Sequence, residues 1–486
     1  MSSLQGNVAR RVVSGSLWMI GSQALVLGLM FVAQREILST LSKEDNGILF
    51  FQRRIIDFLM VVLVDLGMNG VLIRRIVLEQ DRASEILSSA FALRVCMAIG
   101  VMILGGGISW YSGHSAVDAM VWAVFVFVSA RTTLGRYILE APYRTSGRYR
   151  LVSTAGVIDA LLFTIGIWLI RDHLTPSLVI LTYAVAALPG FILLYAVRSG
   201  ISLHLRNVSI SEMRALVRES LPVVISVGLI AVHTTLDTML VELFGSARDV
   251  GILGAVNAAI GPFLVVVPQA VVLVFMPEVA RRAGDEDRRN ASIVAMLRVL
   301  VVFATCFAAS SAPLLPTFVE LVSAGRYSAD ITAFVWFLWS APMAAIILFV
   351  QELAITLGHQ RRNVAIAGVL VVATVAFGMM WIPQLLSVGA VIARCCALAV
   401  GAFYCMWLLY RFMAKPVDLW LVVKVVGLIG SSVGVSIALS SAAWAPWLAA
   451  SATLVITIGI AFVVGLVGTR DVRHLYSQIR SHEAQT

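Results

Sequence analysis

The stretch from Ser42 to Leu49, SKEDNGIL, returns from Ser246 to Leu253 as SARDVGIL, a displacement of 204 residues between its aspartates (249 − 45). Working outward, three further landmarks recur in the same order. Arg74-Arg75 returns as Arg281-Arg282, displaced by 207 (281 − 74), and Gly113 with Asp118 returns as Gly325 with Asp330, displaced by 212 (325 − 113). Gly147-Arg148-Tyr149-Arg150 returns as Gly358-His359-Gln360-Arg361, displaced by 211 (358 − 147). Four ordered matches at nearly constant spacing, all among hydrophobic runs, read as one bundle present twice.

Composition sets the solvent. The chain has 60% hydrophobic and 13% charged residues with a mean hydropathy of +0.93, so it has no soluble domain of ordinary makeup and uses lipid as most of its surroundings. Apolar stretches of about 18 to 25 residues give about fourteen transmembrane spans. They lie near 13–34, 46–66, 84–108, 117–139, 151–170, 177–197, 221–243, 250–275, 292–314, 331–356, 364–382, 388–410, 419–440 and 447–468. A β-barrel is excluded, because barrel strands alternate every second residue over about ten positions and these runs stay apolar for about twice that length.

The displacement of the repeat covers six spans. Six is even, so both halves enter the membrane the same way up, a parallel repeat about an axis along the membrane normal. The reading is an all-α polytopic membrane protein of two six-helix lobes with two extra C-terminal helices. The N-lobe is 1–198, an amphipathic cytoplasmic linker is 199–220, the C-lobe is 221–411, spans thirteen and fourteen fall in 412–470, and 471–486 is a tail. The most polar segment, Ala283 to Asn290 (AGDEDRRN), invites the linker assignment by composition, but the repeat puts it inside the second half.

Arginine placement gives the orientation. With the amino terminus (Arg10, Arg11) inside, even-numbered loops carry Arg74, Arg75, Arg82, Arg144, Arg148, Arg150, Arg198, Arg206, Arg214, Arg218, Arg281, Arg282, Arg288, Arg289, Arg361, Arg362, Arg411 and Lys415. Odd-numbered loops hold Arg35, Lys43, Arg171, Arg248 and Arg326. That bias is the positive-inside pattern and leaves both termini cytoplasmic. The net charge of +9 then lies where anionic lipid headgroups favour it and calls for no nucleic acid. The opening segment lacks a short apolar region followed by a small-residue cleavage site, so the first span is expected to target the chain. Cys96, Cys306, Cys395, Cys396 and Cys405 all fall in spans, with no Cys-x-x-Cys and no zinc spacing; neither disulfide nor metal is expected.

At this point the residues reach a family. Phe31 to Arg75, with its acidic-Asn-Gly opening of span two and Asp65-Leu66-Gly67 at its end, resembles the polysaccharide transporters, including Wzx-type O-antigen flippases, of the multidrug/oligosaccharidyl-lipid/polysaccharide (MOP) exporter superfamily. So do Leu236-Asp237-Thr238 through Gly251, Phe275-Met276-Pro277-Glu278, and Ala324-Gly325-Arg326-Tyr327. The resemblance covers nearly the whole chain. It implies a MATE-like architecture and a flippase that moves undecaprenyl-pyrophosphate-linked oligosaccharide to the periplasmic leaflet of a bacterial inner membrane for O-antigen, capsule or exopolysaccharide assembly. It also implies a lipid-linked oligosaccharide as substrate, surrounding membrane lipids, and a polysaccharide polymerase and export machinery as possible partners. Alternatives within the superfamily are a cation-coupled multidrug exporter and a lipid II flippase.

Charges inside the spans are the candidate site. Arg53, Arg54 and Asp57 lie about 10 to 17 Å into span two at 1.5 Å per residue, and an arginine near the bilayer centre costs about 2.5 to 3.5 kcal/mol unless it meets water or protein. One reading is an Arg53–Asp57 ion pair one turn apart with Arg54 reaching the interface. The other is a cationic wall: in the family, spans one, two, seven and eight face the central cleft, and guanidinium forks suit a pyrophosphate. Arg94 joins them as a substrate-binding candidate; Arg131 and Arg394 are also embedded, with stems long enough to reach an interface. Asp57, His233 and Asp237 are candidates for ion coupling, since a carboxylate in a low-dielectric site holds its proton more tightly. Asp237 has an equally open reading as a capping or packing residue. Asp159, Gln351 and Glu352 are weaker candidates. Pro189-Gly190, Pro262, Pro268 and Pro342 interrupt spans, for packing or bending.

An enzyme is not expected. The chain has no glycine-rich phosphate loop ending in Lys-Ser/Thr, no catalytic group and no cofactor motif. Polysaccharide polymerases, the multispan enzymes of such pathways, usually carry a large periplasmic loop that this chain lacks.

Overall fold

A computed structural model describes residues 2–65, 68–111, 138–145, 148–197, 203–281, 286–357, 361–413, 419–442 and 444–466, with a few single positions between. Those residues are helical almost throughout, and no strand occurs among them. The expected span at 117–139 lies almost wholly outside them, as do Arg131, Gly113, Asp118, Arg282 and the tail at 471–486. Two compact units result, Met1–Thr235 and Leu236–Thr486.

In chain order the first unit holds α1 (Ser2–Thr40), α2 (Lys43–Leu59) continued by a π-helical turn (Met60–Asp65), α3 (Met68–Leu78) and α4 (Ala83–Tyr111). It continues with α5 (Tyr149–Ile170), α6 (Pro176–Ala186), α7 (Leu188–Ala196) and most of α8 (Ile210–Phe244), inside which the division between units falls. The second unit holds α9 (Ala247–Arg281), α10 (Glu286–Ser311), α11 (Leu315–Ser323), α12 (Ile331–Trp339), α13 (Ala341–Thr356), α14 (Arg361–Leu408), α15 (Leu419–Ser441) and α16 (Pro446–Val463). Among the described residues, nine segments are long and apolar enough to cross a membrane. The chain is a multi-pass membrane protein.

The repeated motif has a local physical cause. Ser42 caps α2: its Oγ accepts from the Asp45 backbone N–H at 2.9 Å and donates to Asp45 Oδ2 at 2.7 Å. Ahead of α9, Ser246 donates from Oγ to Asp249 Oδ2 at 2.7 Å, and its backbone N–H reaches the same oxygen at 3.1 Å. Both are Ser-x-x-acid boxes that satisfy otherwise orphaned N–H groups and put a carboxylate in the first turn, where the helix dipole favours it. Losing such a cap costs about 1 kcal/mol.

Proline explains two of the breaks. α6 ends at Ala186 and α7 restarts with Pro189 in its first turn; α12 ends at Trp339 and α13 restarts with Pro342 in its first turn. Proline lacks the N–H that would continue the ladder, so a helix resumes on it more readily than it passes through it. Pro262 and Pro268 lie inside the uninterrupted α9. The two expected spans at 364–382 and 388–410 sit in α14, whose backbone reverses at Leu386 (φ 50°, ψ −122°). Gly389 makes that reversal possible, because a Cβ there would lie 2.3 Å from the Trp381 carbonyl oxygen.

Each unit has its own packing. In the first, α1 runs along α5, where Thr164 Oγ1 donates to the Leu29 carbonyl at 2.9 Å, and Ala33, Ile37, Phe163 and Ile167 form a shared core. In the second, Leu297, Leu300, Val350, Leu353, Ile366, Leu370, Leu428 and Ala461 join α10, α13, α14, α15 and α16. Large aromatics lie exposed near the ends of several helices, among them Tyr195, Trp110, Trp168, Trp420 and Trp447. Aromatic side chains of this kind favour the boundary between lipid tails and headgroups.

Candidate functional site

Three groups of charges emerge, each within one unit. On α2, Arg53 and Asp57 face each other loosely, with Nε to Oδ2 at 4.0 Å, and their side chains are 48% and 59% exposed. The Arg53 guanidinium lies over the Tyr183 ring of α6, 5.2 Å from its centroid, and Tyr183 itself packs edge-on against Phe163 of α5 at 5.5 Å. Arg54 lies over the Phe50 ring at 4.9 Å. Ile56 and Met60 turn inward against Ala98 and Val101 of α4. The helix thus buries its apolar positions and leaves Arg53 and Asp57 accessible, with the arginine fixed on an aromatic plane, a contact worth about 0.5 to 2 kcal/mol according to exposure. Directly downstream comes the π-helical turn Met60–Asp65, a distortion that recurs at functional positions in helices. Arg94 on α4 is 3% exposed and so belongs to the packed interior of the unit.

The second group is closed. Asp237 on α8 forms an ion pair with Arg394 on α14, and both are buried. Arg394 Nη1 donates to Asn257 Oδ1 on α9 at 2.7 Å, Asn257 Nδ2 donates to the Leu253 carbonyl at 2.8 Å, and the guanidinium lies over Phe337 of α12 at 5.3 Å. Asp237 Oδ1 accepts from the Thr238 backbone N–H at 2.7 Å. Four helices therefore meet at one neutralised pair. The stem of Arg394 does not run out to an interface. His233, one turn before Asp237 on α8, is also buried.

The third group was not anticipated from sequence. Glu212, 3% exposed near the start of α8, receives Arg75 of α3 on Oε1 and Arg82 on Oε2, the latter at 2.9 Å. Arg75 also holds Glu79 at 3.0 Å, and Arg82 holds Glu79 at 3.0 Å and Glu85 at 3.1 Å. The hydrogen bond from Arg75 holds the Glu79 carboxyl below its ordinary range. Burial alone would lower the Arg75 guanidinium, but the Glu79 hydrogen bond and the nearby carboxylates leave it raised; Arg82 is raised chiefly by its bond to Glu85. Three serines of α4 complete the latch. Ser88 Oγ and Ser89 Oγ accept from the backbone N–H groups of His204 and Ser209, each at 3.0 Å, and Ser84 Oγ accepts from Asn207 Nδ2 at 3.0 Å. Leu216 packs into the apolar core of α3 and α4. The segment expected as a linker is thereby fastened to the first unit.

Of the weaker candidates, Asp159 on α5 lies against the α6–α7 break: a Cβ on Gly190 would stand 2.2 Å from Asp159 Oδ1 and 3.0 Å from the Ala155 carbonyl oxygen. Gln351 and Glu352 lie on α13, partly buried. No group of three His, Cys, Asp or Glu side chains suited to a metal occurs among the described residues.

No protein-family model matches the chain, and no curated protein matches it. Solved structures do. The lipid II flippase MurJ in its inward closed conformation superposes with a TM-score of 0.72 at 13% identity, covering 95% of this chain and 99% of that one. An inward-facing multidrug resistance MATE family transporter of the MOP superfamily gives 0.64 at 14% identity, covering 80% and 97%. A MOP superfamily transporter from Pyrococcus furiosus gives 0.60 at 13% identity, covering 82% and 94%. The chain has the all-helical fold that these MOP superfamily proteins share.

Proposed function

We propose that this protein is a flippase for a pyrophosphate-linked polyprenyl oligosaccharide, carrying the head group across the inner membrane while the tail stays in lipid. The observation that carries the reading is the state of Arg53 and Asp57. At about 15 Å from the start of α2, ten residues at 1.5 Å each, a half-exposed guanidinium facing hydrocarbon would cost about 2.5 to 3.5 kcal/mol, so its exposure fits a water-filled path. A guanidinium fork offers paired donors to the non-bridging oxygens of a pyrophosphate, and stacking on Tyr183 holds it ready at low entropic cost. Asp57 then serves as the resident counter-charge that the phosphate displaces. No step makes or breaks a covalent bond; the protein acts as a carrier and not as an enzyme, and a polymerase consumes the delivered unit.

The test is export. Replacing Arg53 and Arg54 by Gln keeps size and hydrogen bonding and removes charge, so surface polymer should fall at least tenfold at unchanged membrane levels. Lys at both positions should restore only part, because an ammonium cannot bridge two oxygens. Normal export by the double Gln variant would overturn the reading.

Lipid II transport is the second reading, favoured by the match to MurJ over 95% of this chain against 80% for the MATE transporter. It uses the same pyrophosphate chemistry at the same arginines. Complementation separates the two: rescue of a strain lacking its lipid II flippase favours the second, and rescue of a strain lacking its polysaccharide flippase favours the first.

A further inference from the structure

The first three turns of α8 present two faces of opposite character. Inward lie Glu212, Leu216 and Ser220, all buried, held by the Arg75 and Arg82 latch and the core of α3 and α4. Outward, at spacings of four, four and three, lie Ile210, Arg214, Arg218 and Leu221, within an arc of about 80° at 3.6 residues per turn. Ile210 is 75% exposed and Leu221 is 55% exposed, and both arginines are exposed. Among the described residues neither Arg214 nor Arg218 makes an ion pair or a hydrogen bond, in contrast to the fully committed Arg75 and Arg82 on the other side. Two unpaired guanidinium groups one turn apart, bracketed lengthwise by exposed aliphatic side chains, lack a counter-charge from the protein itself.

Their position says what supplies it. The apolar part of α8 begins at Val223, so Arg218 and Arg214 stand about 7 and 14 Å before it at 1.5 Å per residue. The headgroup layer beside the hydrocarbon core is about 5 to 8 Å thick, and the stems of both arginines are long enough to bring their guanidinium groups to its phosphates. Leu221 and Ile210 suit the boundary between acyl chains and headgroups, as in interfacial amphipathic helices. We propose that the outer face of this segment is a binding site for anionic phospholipid headgroups of the arginine-rich leaflet, with Arg214 and Arg218 sharing the phosphates, so that the segment is fastened to the protein by its inner face and to the membrane by its outer one. The site is independent of the identity of the transported substrate.

Purified full-length protein, titrated with phosphatidylglycerol and in parallel with phosphatidylcholine, tests this by native mass spectrometry of the retained lipids. Near an anionic surface each basic residue strengthens attraction by about fivefold, so R214Q/R218Q should lose about thirtyfold in phosphatidylglycerol affinity and the single variants about fivefold each. R214K/R218K should keep most of it, and added salt should weaken the wild type towards the Gln variant. R74Q/R206Q, which removes the same charge from exposed positions nearby, should stay close to wild type. Should the double variant fail to accumulate, the single variants carry the measurement. Equal retention of phosphatidylcholine by the wild type, unchanged phosphatidylglycerol binding in the Gln variants, or an equal loss in R74Q/R206Q would each overturn the proposal. So would a variant that loses a polyprenyl pyrophosphate probe while keeping phosphatidylglycerol, since the stripe would then be a substrate port.

Discussion

Removing the carboxylate of Asp237 should unlatch the second unit, and the size of the effect follows from its surroundings. D237N leaves the buried Arg394 guanidinium with Asn257 and the Phe337 ring and without an anion. Breaking one side of a buried pair costs about 3 to 5 kcal/mol. The retained hydrogen bond at 2.7 Å and the ring contact place this case at the lower end, near about 3 kcal/mol. The double variant D237N/R394Q puts an amide against an amide, with no charge left to solvate, and should return to within about 1 kcal/mol of wild type. The coupling energy from the cycle is therefore expected to exceed about 2 kcal/mol. A thiol-reactive dye followed on heating is a direct assay, since Cys395, next to Arg394, is buried and donates to the Trp336 carbonyl at 3.0 Å, and Cys405 is buried too. D237N should become reactive at a markedly lower temperature and the double variant should not. Single effects that simply add would refute the argument that the pair is held by mutual neutralisation. Transport by the stable double variant then decides Asp237's role: wild-type activity makes it a structural residue, and loss of activity makes the carboxylate the coupling group.

Two further outcomes follow from the first unit. Glu79 has a folded pKa held below its ordinary 4.5 by its hydrogen bond to Arg75, so its contribution is complete above that value and disappears as pH falls through the lowered one; thermal stability should drop below about pH 5, and E79Q should show a flatter pH profile. An equal acid slope in that variant would remove the latch from the explanation. Replacing Gly190 by Ala drives a methyl group to 2.2 Å from Asp159 Oδ1 and 3.0 Å from the Ala155 carbonyl oxygen, so α5 and α7 must part, at a cost of about 1 to 3 kcal/mol in melting experiments; G190A/D159A should recover part of that loss, and an unperturbed G190A would contradict the close approach.

What the sequence made legible is what local physics writes locally. Continuous apolar runs locate helices because every backbone group in lipid must be satisfied within its own segment. The Ser-x-x-Asp boxes are legible because a cap acts over three residues, and the break before Pro189 because proline acts on its own turn. Arg53 and Asp57 were visible as charges in an apolar run, one turn apart. The latch was not, because Arg75 and Glu212 are 137 residues apart and no periodicity links them; its trace is two glutamates, Glu212 and Glu219, on an otherwise basic segment. Arg394 was seen as an embedded charge and its ending was missed for the same reason, since Asn257 is also 137 residues away and Asp237 farther still.

The two units share the capping box at the head of α2 and α9 yet treat membrane-embedded charge in opposite ways. In the first, Arg53 and Asp57 stay half exposed, at a separation too long for a good hydrogen bond, and the arginine is braced from behind by an aromatic ring. In the second, Asp237 and Arg394 are removed from solvent and tied through Asn257 to a backbone carbonyl. An exposed, loosely paired guanidinium exchanges its partner for a ligand anion at little cost, whereas a buried pair must first be broken at about 3 to 5 kcal/mol. The proposed anion site therefore draws on the exposed pair of the first unit, and the D237N/R394Q transport assay decides whether the buried pair of the second does more than hold structure. What the two units share is the cap, a contact three residues long; what separates them is whether an embedded arginine meets a buried carboxylate or an exposed one.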